Sequence, residues 1–310
     1  MKRAIVLLTA ALALQLGVAL LLGFSGKDHR PFKGGRLLDI AVDQIDHLQI
    51  DGGDGGSVRL VKVDGSWTLP DDLDAKADAG KVQTLLSTLL AIERPWPVAE
   101  TDDARSRFKV ADQDYERRVE FSSGDDTVAT LLLGTSPGFR KVHARLAGEQ
   151  KIYDIPFATY QASLKAADWL DRTPVPLEPK RIAAVDLPDC RLVRGDGGLK
   201  LANLGAGERT DRATARHLVD RLAHLRIEDV YARADRPLPK PTVLSIAVEL
   251  KDGATRRYDF APAPENGDPL LKVSAAPHLY RVAPALLKDL QAFSRPALVE
   301  SGSADAPAPG

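Results

Sequence analysis

Apolar residues recur along this chain at two spacings, and each spacing predicts a different element. Residues 59–69, RLVKVDGSWTL, alternate polar and apolar positions around a Gly-containing turn, which is typical of a β-hairpin. Residues 76–92 instead repeat apolar side chains at helical spacing, namely Val82, Leu85, Leu86 and Leu89. Asp78 stands near the start of this predicted helix, where an acidic residue suits the helix dipole.

The same order of elements occurs twice, about 132 positions apart. RLVRGDGGLKL at 191–201 follows the pattern of 59–69, and a second helix is predicted at 209–225, with Asp211 near its start. Each half continues with two strand-turn-strand segments and a short closing helix, at 119–134, 143–156 and 157–170 and again at 248–262, 270–283 and 284–293. Each half therefore reads as three strands, a helix, four strands and a closing helix.

The predicted fold class is α+β, with two tandem repeats of an antiparallel sheet covered by helices and one N-terminal transmembrane helix before them. The predicted boundaries are an anchor and juxtamembrane segment at 1–36, repeats at 37–173 and 174–296, and a disordered tail at 297–310. A linker with three prolines, residues 171–180, joins the repeats. Trp67 and Leu199 hold equivalent positions in the two repeats, which favours a core role for both.

Residues 4–24 form an uncharged apolar run after Lys2 and Arg3. As a helix this run would reach roughly 30 Å, the thickness of a bilayer core, and would contact membrane lipid. We favour a retained anchor over a cleaved signal peptide, whose apolar region usually runs about 7 to 15 residues before a small-residue cleavage site. Basic residues after the run do not favour export, but long domains translocate largely regardless of charge. We therefore expect a single-pass protein of the cytoplasmic membrane with its body in the periplasm.

Charge and cysteine content narrow the choice of partners and chemistry. The chain has 42 basic and 43 acidic residues, interleaved along most of its length, so a nucleic-acid partner is not expected. Its single cysteine, Cys190, excludes an internal disulfide and a cysteine-rich zinc site, and reads as a small apolar residue on a strand.

Two short motifs match enzyme signatures but are better explained as structure. GTSPG at 134–138 fits the nucleophile elbow of hydrolases, yet Pro137 lacks the backbone N–H that an oxyanion hole needs, and a strand is predicted to follow. SRFK, with Ser106 and Lys109, fits the motif of penicillin-recognising enzymes but has neither companion motif. We interpret the first as a turn between strands and the second as a solvated loop or helix end.

Metal binding has equally weak support. DGGDGG at 51–56 offers acidic side chains among glycines but lacks a complete calcium loop, and a hairpin connection explains it better. The histidines are scattered, at positions 29, 47, 143, 217, 224 and 278. His217 and His224 are about two helical turns apart, too far to share a metal unaided. No catalytic, cofactor-binding or metal-binding residue is therefore predicted.

The apolar run at 4–24 and three motifs together resemble the bacterial domain of unknown function 4340 family. The motifs are DGSWTLP, ADAGKVQTLLSTLLAI and LLLGTSPGFRKVHARLAGEQKIYDIP, and the resemblance covers roughly residues 37–295. It implies a membrane-anchored protein without an established activity that accompanies the permease and auxiliary subunits of transporters resembling the gliding-motility ABC system. It transfers no catalytic residue; Gly134 and Tyr153 match family positions that we interpret as a strand-end turn and a core aromatic.

The function expected from the sequence is that of a non-enzymatic extracytoplasmic accessory or scaffold subunit, anchored in the cytoplasmic membrane beside integral subunits of an ABC-type transporter. The alternative is a protein that binds or hydrolyses an envelope polysaccharide or peptidoglycan in a cleft between the repeats. Paired carboxylates with perturbed pKa values on a concave surface would favour that alternative.

Overall fold

The computed structural model describes residue 15 and residues 35–173, 176–262, 267–274 and 276–301. The predicted span at 4–24 lies outside the described residues except for Gln15. Within the described ranges, no helix is both long enough and apolar enough to cross a bilayer. The described chain is a mixed α+β protein in which antiparallel sheets dominate and helices are few.

The first half of the chain, up to residue 173, forms one large antiparallel sheet. Its described strands are β1 (His47–Gly52), β2 (Ser57–Val63), β3 (Ser66–Leu69), β4 (Ala75–Lys76), β5 (Pro97–Ala99), β6 (Val110–Ala111), β7 (Asp114–Tyr115), β8 (Arg117–Ser123), β9 (Asp126–Leu133), β10 (Val142–Leu146) and β11 (Ile152–Ile155). The first sheet has the order β4-β3-β2-β1-β8-β9-β10-β11-β5, and β6 pairs with β7 separately.

The second half, from residue 176 onward, forms a second sheet. Its described strands are β12 (Ile182–Asp186), β13 (Arg191–Gly195), β14 (Gly198–Leu201), β15 (Glu208–Thr210), β16 (Asp229–Arg233), β17 (Leu244–Leu250), β18 (Thr255–Ala261), β19 (Leu270–Val273), β20 (His278–Arg281) and β21 (Val299–Ser301). The second sheet has the order β14-β13-β12-β17-β18-β19-β20-β16. The first sheet repeats this order from β3 to β5, so the two halves place equivalent strands side by side in the same way.

Helices of twelve residues pack beside each sheet where the apolar stripes predict them. The described helices are α1 (Ala79–Leu90), α2 (Asp102–Arg107), α3 (Ala166–Trp169), α4 (Arg212–Ala223), α5 (Pro284–Gln291) and α6 (Arg295–Leu298). Asp78 caps α1 by accepting from the N–H groups of Gly80 and Lys81, and Asp211 caps α4 in the same way. The two acidic residues expected near the helix starts are thus the N-caps.

The apolar side chains of these helices and of the two sheets form one continuous hydrophobic core that extends through both halves. Val82, Leu85, Leu86 and Leu89 of α1 are all buried in it. Trp67 is only 7% exposed and Leu199 4%, so both are core residues, as their positions after the turn predict. The stretch at 59–69 is therefore scaffold.

One segment of the first half was not expected from the sequence. Residues 101–115, with α2, β6 and β7, pack over the opposite face of the first sheet. Leu131 and Leu133 enter the main core, whereas Leu132 between them joins Val110 in a second small cluster. The apolar run in β9 is continuous because this strand is buried on both faces.

Two further expectations are corrected. The closing helix predicted at 157–170 is only a single 3-10 turn followed by the short helix α3. Ser163 interrupts it, because its hydroxyl accepts from Lys165 N and donates to Asp168, and such local bonds compete with helix formation. The predicted disordered tail, residues 297–310, includes the ordered strand β21, which pairs with β15; residues 302–310 lie outside the described part.

Candidate functional site

One concavity of the first half is a groove between α1 and the segment 160–169. It encloses about 650 Å³, within the range of ligand and peptide pockets, and its lining is mostly apolar. Leu85, Tyr160 and Trp169 contribute its apolar and aromatic lining. Leu85 and Trp169 are only 3% and 4% exposed, so Tyr160 supplies most of the aromatic surface. We call this concavity the α1 groove.

The polar groups of the α1 groove hold its walls together. The Lys81 ammonium donates to the backbone oxygen of Asp168 at 2.5 Å, which ties α1 to the opposite wall. The Ser163 hydroxyl donates to the Asp168 carboxylate at 2.6 Å, and the Trp169 indole N–H donates to Ser163 O at 3.0 Å. The last of these bonds holds the Trp169 indole in position, while Tyr160 stays 76% exposed.

This arrangement suits binding better than catalysis. The Ser163 hydroxyl donates to a carboxylate, and none of its hydrogen-bond partners among the described residues is an imidazole that could act as a base. An exposed aromatic side chain beside an apolar lining is instead typical of the places where a partner segment buries its anchoring side chains. The α1 groove is therefore a candidate binding site for an apolar segment.

A second, smaller cavity lies where the two halves meet. It encloses about 160 Å³ and includes Asp171, His278 and Tyr280 in its lining. His278 Nε2 lies 2.9 Å from Leu73 O, so this nitrogen carries the proton and donates across the junction. Burial, with the negative charge of Asp171, raises the pKa of Tyr280 to about 12, so the phenol stays protonated at neutral pH. The cavity is too small for a polymer chain.

The junction also holds a run of left-handed backbone. Leu73 and Asp74 have φ of 62° and 60°, a conformation that costs a residue with a side chain about 1 kcal/mol or more. Leu73 O accepts from His278, and Asp74 pairs with Arg233 at 2.5 Å. Contacts across the junction thus hold this turn in place.

The two enzyme-like motifs are used as structure. Ser136 Oγ lies 2.7 Å from Gly138 O and 2.8 Å from Lys141 O, so its single hydrogen is taken up by carbonyls of its own turn. The strand β10 follows this turn, where a nucleophile elbow would need a helix. Ser106 lies near the end of α2, and the Lys109 ammonium pairs with Asp114 at 2.8 Å.

The acidic glycine run forms the turn between β1 and β2, where Gly52 N donates to Gly56 O at 2.7 Å. A side chain on Gly53 would meet Tyr115 O at 2.0 Å, so glycine is needed there for close packing. In the part of the chain that is described, no group of three or more His, Cys, Asp or Glu side chains is arranged to hold a metal ion.

The described histidines serve separate structural contacts. His143 is the most involved: its ring stacks on Phe108 with centroids 4.0 Å apart, and its Nδ1 lies 2.7 Å from Thr135 O. His47 bonds Asp46, His224 bonds Asp220 O, and His217 packs edge-on against Phe293. His29 lies outside the described residues.

Sequence reasoning missed both the α1 groove and a buried cation on β10. Arg145 is 1% exposed, and its guanidinium donates to Val110 O at 2.6 Å and Glu149 O at 2.8 Å and also pairs with Asp112. It anchors the segment 101–115 to the first sheet. Alternation along β10 places Arg145 on the face of the first sheet opposite the main core. The sequence predicts no helix over that face, so the burial of Arg145 is explained only by the unexpected segment 101–115.

These features define the class: an α+β protein built on antiparallel sheets, with an aromatic-lined groove whose polar side chains form hydrogen bonds within the fold. The chain belongs to the domain of unknown function (DUF4340) family, whose model matches residues 67–243. The match runs from β3 of the first sheet into the second half and confirms the family expected from the sequence, over a shorter span than expected. No curated protein and no solved structure shows significant similarity to the chain.

Proposed function

We propose that this protein is a non-enzymatic accessory or scaffold subunit, anchored in the cytoplasmic membrane by residues 4–24, whose periplasmic body binds integral subunits of an ABC-type transporter. The α1 groove carries the proposal, because its largely apolar lining, with Tyr160 exposed beside Trp169, fits an anchoring segment of a partner protein. The uncharged run at 4–24 supports the anchor.

We further infer that the body consists of two tandem repeats, at 37–173 and 174–296. Two observations support a duplication: the equal strand order of the two sheets, and the equivalent helices α1 and α4, each capped by an aspartate. The second half has no counterpart of the segment 101–115 between its helix α4 and strand β17. The first half is therefore the more elaborated repeat, and it holds the α1 groove.

Crosslinking in the native membrane tests the partner. A photoreactive residue at position 160, in the full-length protein, is expected to capture a transporter subunit, because Tyr160 is exposed at the α1 groove. The matched control places the same residue at Val128, which is exposed on β9 away from the groove. A form lacking residues 1–26 but exported by a cleavable signal shows whether capture needs the anchor.

The outcomes separate the two functions considered. Transporter subunits captured at position 160 but not at 128 would support the accessory role. Recovery of polysaccharide or peptidoglycan with both the anchored and the exported form, without a transporter, would favour the polymer-binding alternative. Capture of nothing at position 160, with the protein at monomer size after gentle solubilisation, would overturn the proposal.

A further inference from the structure

One end of the first sheet exposes aromatic and basic side chains together. Phe139 is 88% exposed and Trp96 is 68% exposed, and the chain neighbours of Phe139 are Arg140 and Lys141, both exposed. Val98, on the edge strand β5, is also exposed. We call these five residues the aromatic rim.

The strand register brings the members of the aromatic rim to the same end of the sheet. Trp96 directly precedes Pro97, which pairs with Tyr153 of β11. In β10, His143 pairs with Asp154 of β11, and the turn that carries Phe139 precedes β10. Strands β5 and β10 are separated only by β11, so about 10 Å divides their backbones at this end.

The turn under Phe139 is held in one shape. Lys141 N donates to Gly138 O at 3.2 Å, and the Ser136 hydroxyl lies within 2.8 Å of two of the turn's carbonyl oxygens. Arg140 has φ of 54°, a strained conformation for a residue with a side chain, and its guanidinium lies 5.0 Å from the Phe139 ring centroid. The turn thus holds an exposed aromatic ring and a cation at its tip.

The chain enters the fold beside the aromatic rim. Arg94 N donates to Gly35 O at 2.9 Å, and the backbone of Arg36 forms an isolated antiparallel β-bridge with Glu93. Residues 35 and 36 therefore lie beside the chain two to three positions before Trp96. If residues 4–24 span the membrane, only residues 25–34 connect the bilayer to Gly35. Ten residues reach at most about 35 Å. The tether therefore keeps the rim close to the membrane surface.

The charges at this place suit an anionic surface. Residues 25–36 carry Lys27, Arg30, Lys33 and Arg36 against the acidic residue Asp28, and the exposed Glu93 lies opposite Arg36. Arg140 and Lys141 add two more cations at the rim, and Arg107 lies over the Phe108 ring nearby. Asp154 lies in the same row, but its carboxylate faces His143 Nε2 at 3.4 Å. Exposed Trp and Phe next to Lys and Arg are typical of residues that sit at the level of lipid headgroups.

From this geometry we propose that the aromatic rim docks onto the anionic headgroup surface of the membrane that holds the anchor. Trp96 and Phe139 enter the headgroup layer, and Arg140 and Lys141 pair with lipid phosphates. Docking orients the first sheet relative to the bilayer. The proposal rests on the proposed anchor at 4–24.

Tryptophan fluorescence tests the docking on the full chain in lipid nanodiscs that contain phosphatidylglycerol and a lipid brominated near the headgroup. Trp67 and Trp169 are only 7% and 4% exposed, so a shallow quencher should reach Trp96 alone. We expect quenching of about one third of the emission, the share of one tryptophan among three. Trp96→Phe should abolish the quenching, which assigns the signal.

Paired variants then test the contacts. Phe139→Ser with Lys141→Glu should reduce the quenching at least twofold, because each basic residue near an anionic surface contributes about fivefold in affinity. Tyr160→Ser, which removes an exposed aromatic side chain of the α1 groove, should leave it unchanged. Equal quenching in discs of phosphatidylcholine alone would refute the role of anionic lipid.

Two failures remain distinguishable in this design. A chain that elutes apart from the discs would show that residues 4–24 do not anchor it, which overturns the proposed function. A chain that elutes with the discs but shows no quenching would overturn the docking proposal alone, and would point to a protein partner for the aromatic rim.

Discussion

Replacing Gly134 with alanine should destabilise the first half, although the change adds one methyl group to a turn. Gly134 is buried where the end of β9 passes under the residues that follow α2. An added Cβ would lie 1.9 Å from Phe108 O and 2.5 Å from Lys109 O, distances that real Cβ atoms essentially never show. The neighbours are backbone atoms, so no side chain can rotate away to relieve the contact.

The size of this destabilisation follows from the backbone shift that the added methyl group requires. The backbone at Phe108 has to retreat by about 1 Å, which disturbs the bond from Thr135 N to Phe108 O, 2.9 Å long, and the stacking of the Phe108 ring on His143. Overpacking typically costs about 1–3 kcal/mol, and a lost hydrogen bond about 1 kcal/mol. We expect a loss of about 3 kcal/mol, or roughly 6–12 °C in melting temperature for a protein of this size.

Urea unfolding monitored by tryptophan fluorescence measures this loss, because the two buried tryptophans, Trp67 and Trp169, both lie in the first half. Gly138→Ala is the matched control. It lies in the same turn with open space around its Cα and no positive φ, so alanine there should be neutral or slightly stabilising. Equal unfolding midpoints for the two variants would refute the reasoning from close backbone approach.

Three further predictions concern single side chains. Arg145→Met should cost about 3 kcal/mol and expose residues 101–115 to protease, since it leaves buried carbonyls without their donor; unchanged proteolysis would contradict this. Hydrogen bonds from the backbone N–H of Thr214 and then from its hydroxyl lower the pKa of Asp211 below its usual value. The ionised carboxylate therefore stabilises the fold above the unfolded-state pKa, and this stabilisation is lost as pH falls through the folded-state pKa. Asp211→Asn keeps a cap and should flatten the acid side of the stability profile measured by circular dichroism, and an unchanged slope would argue against the cap as the cause. Burial, and to a lesser extent the charge of Asp189, raises the pKa of the Cys190 thiol to about 11. Alkylation of Cys190 by iodoacetamide should therefore be slow near neutral pH and become faster as the pH approaches the pKa. Rapid labelling of the folded protein at neutral pH would disprove this prediction.

The elements that depend on near neighbours in the chain could be predicted from the sequence alone. The helical stripe of α1, the alternation around Trp67 and the cap positions of Asp78 and Asp211 each involve residues a few positions apart. Periodicity and capping act over that distance, so they can be recognised without knowledge of the fold. The family could likewise be recognised from its motifs, and the matching span agrees with it.

The candidate site depends on contacts between segments far apart in the chain, which local patterns do not encode. Lys81 meets Asp168 O across the α1 groove, and Arg145 meets Val110 O beneath a segment whose strands are only two residues long. Two-residue strands are too short to show a period. The helix predicted at 157–170 is interrupted at Ser163 by local hydrogen bonds. The sequence by itself determined the longer strands, the two twelve-residue helices and the positions of the residues that cap them, because those follow from local geometry. Only the tertiary structure decided which surfaces were covered and which remained open, because burial is settled by what packs on each face.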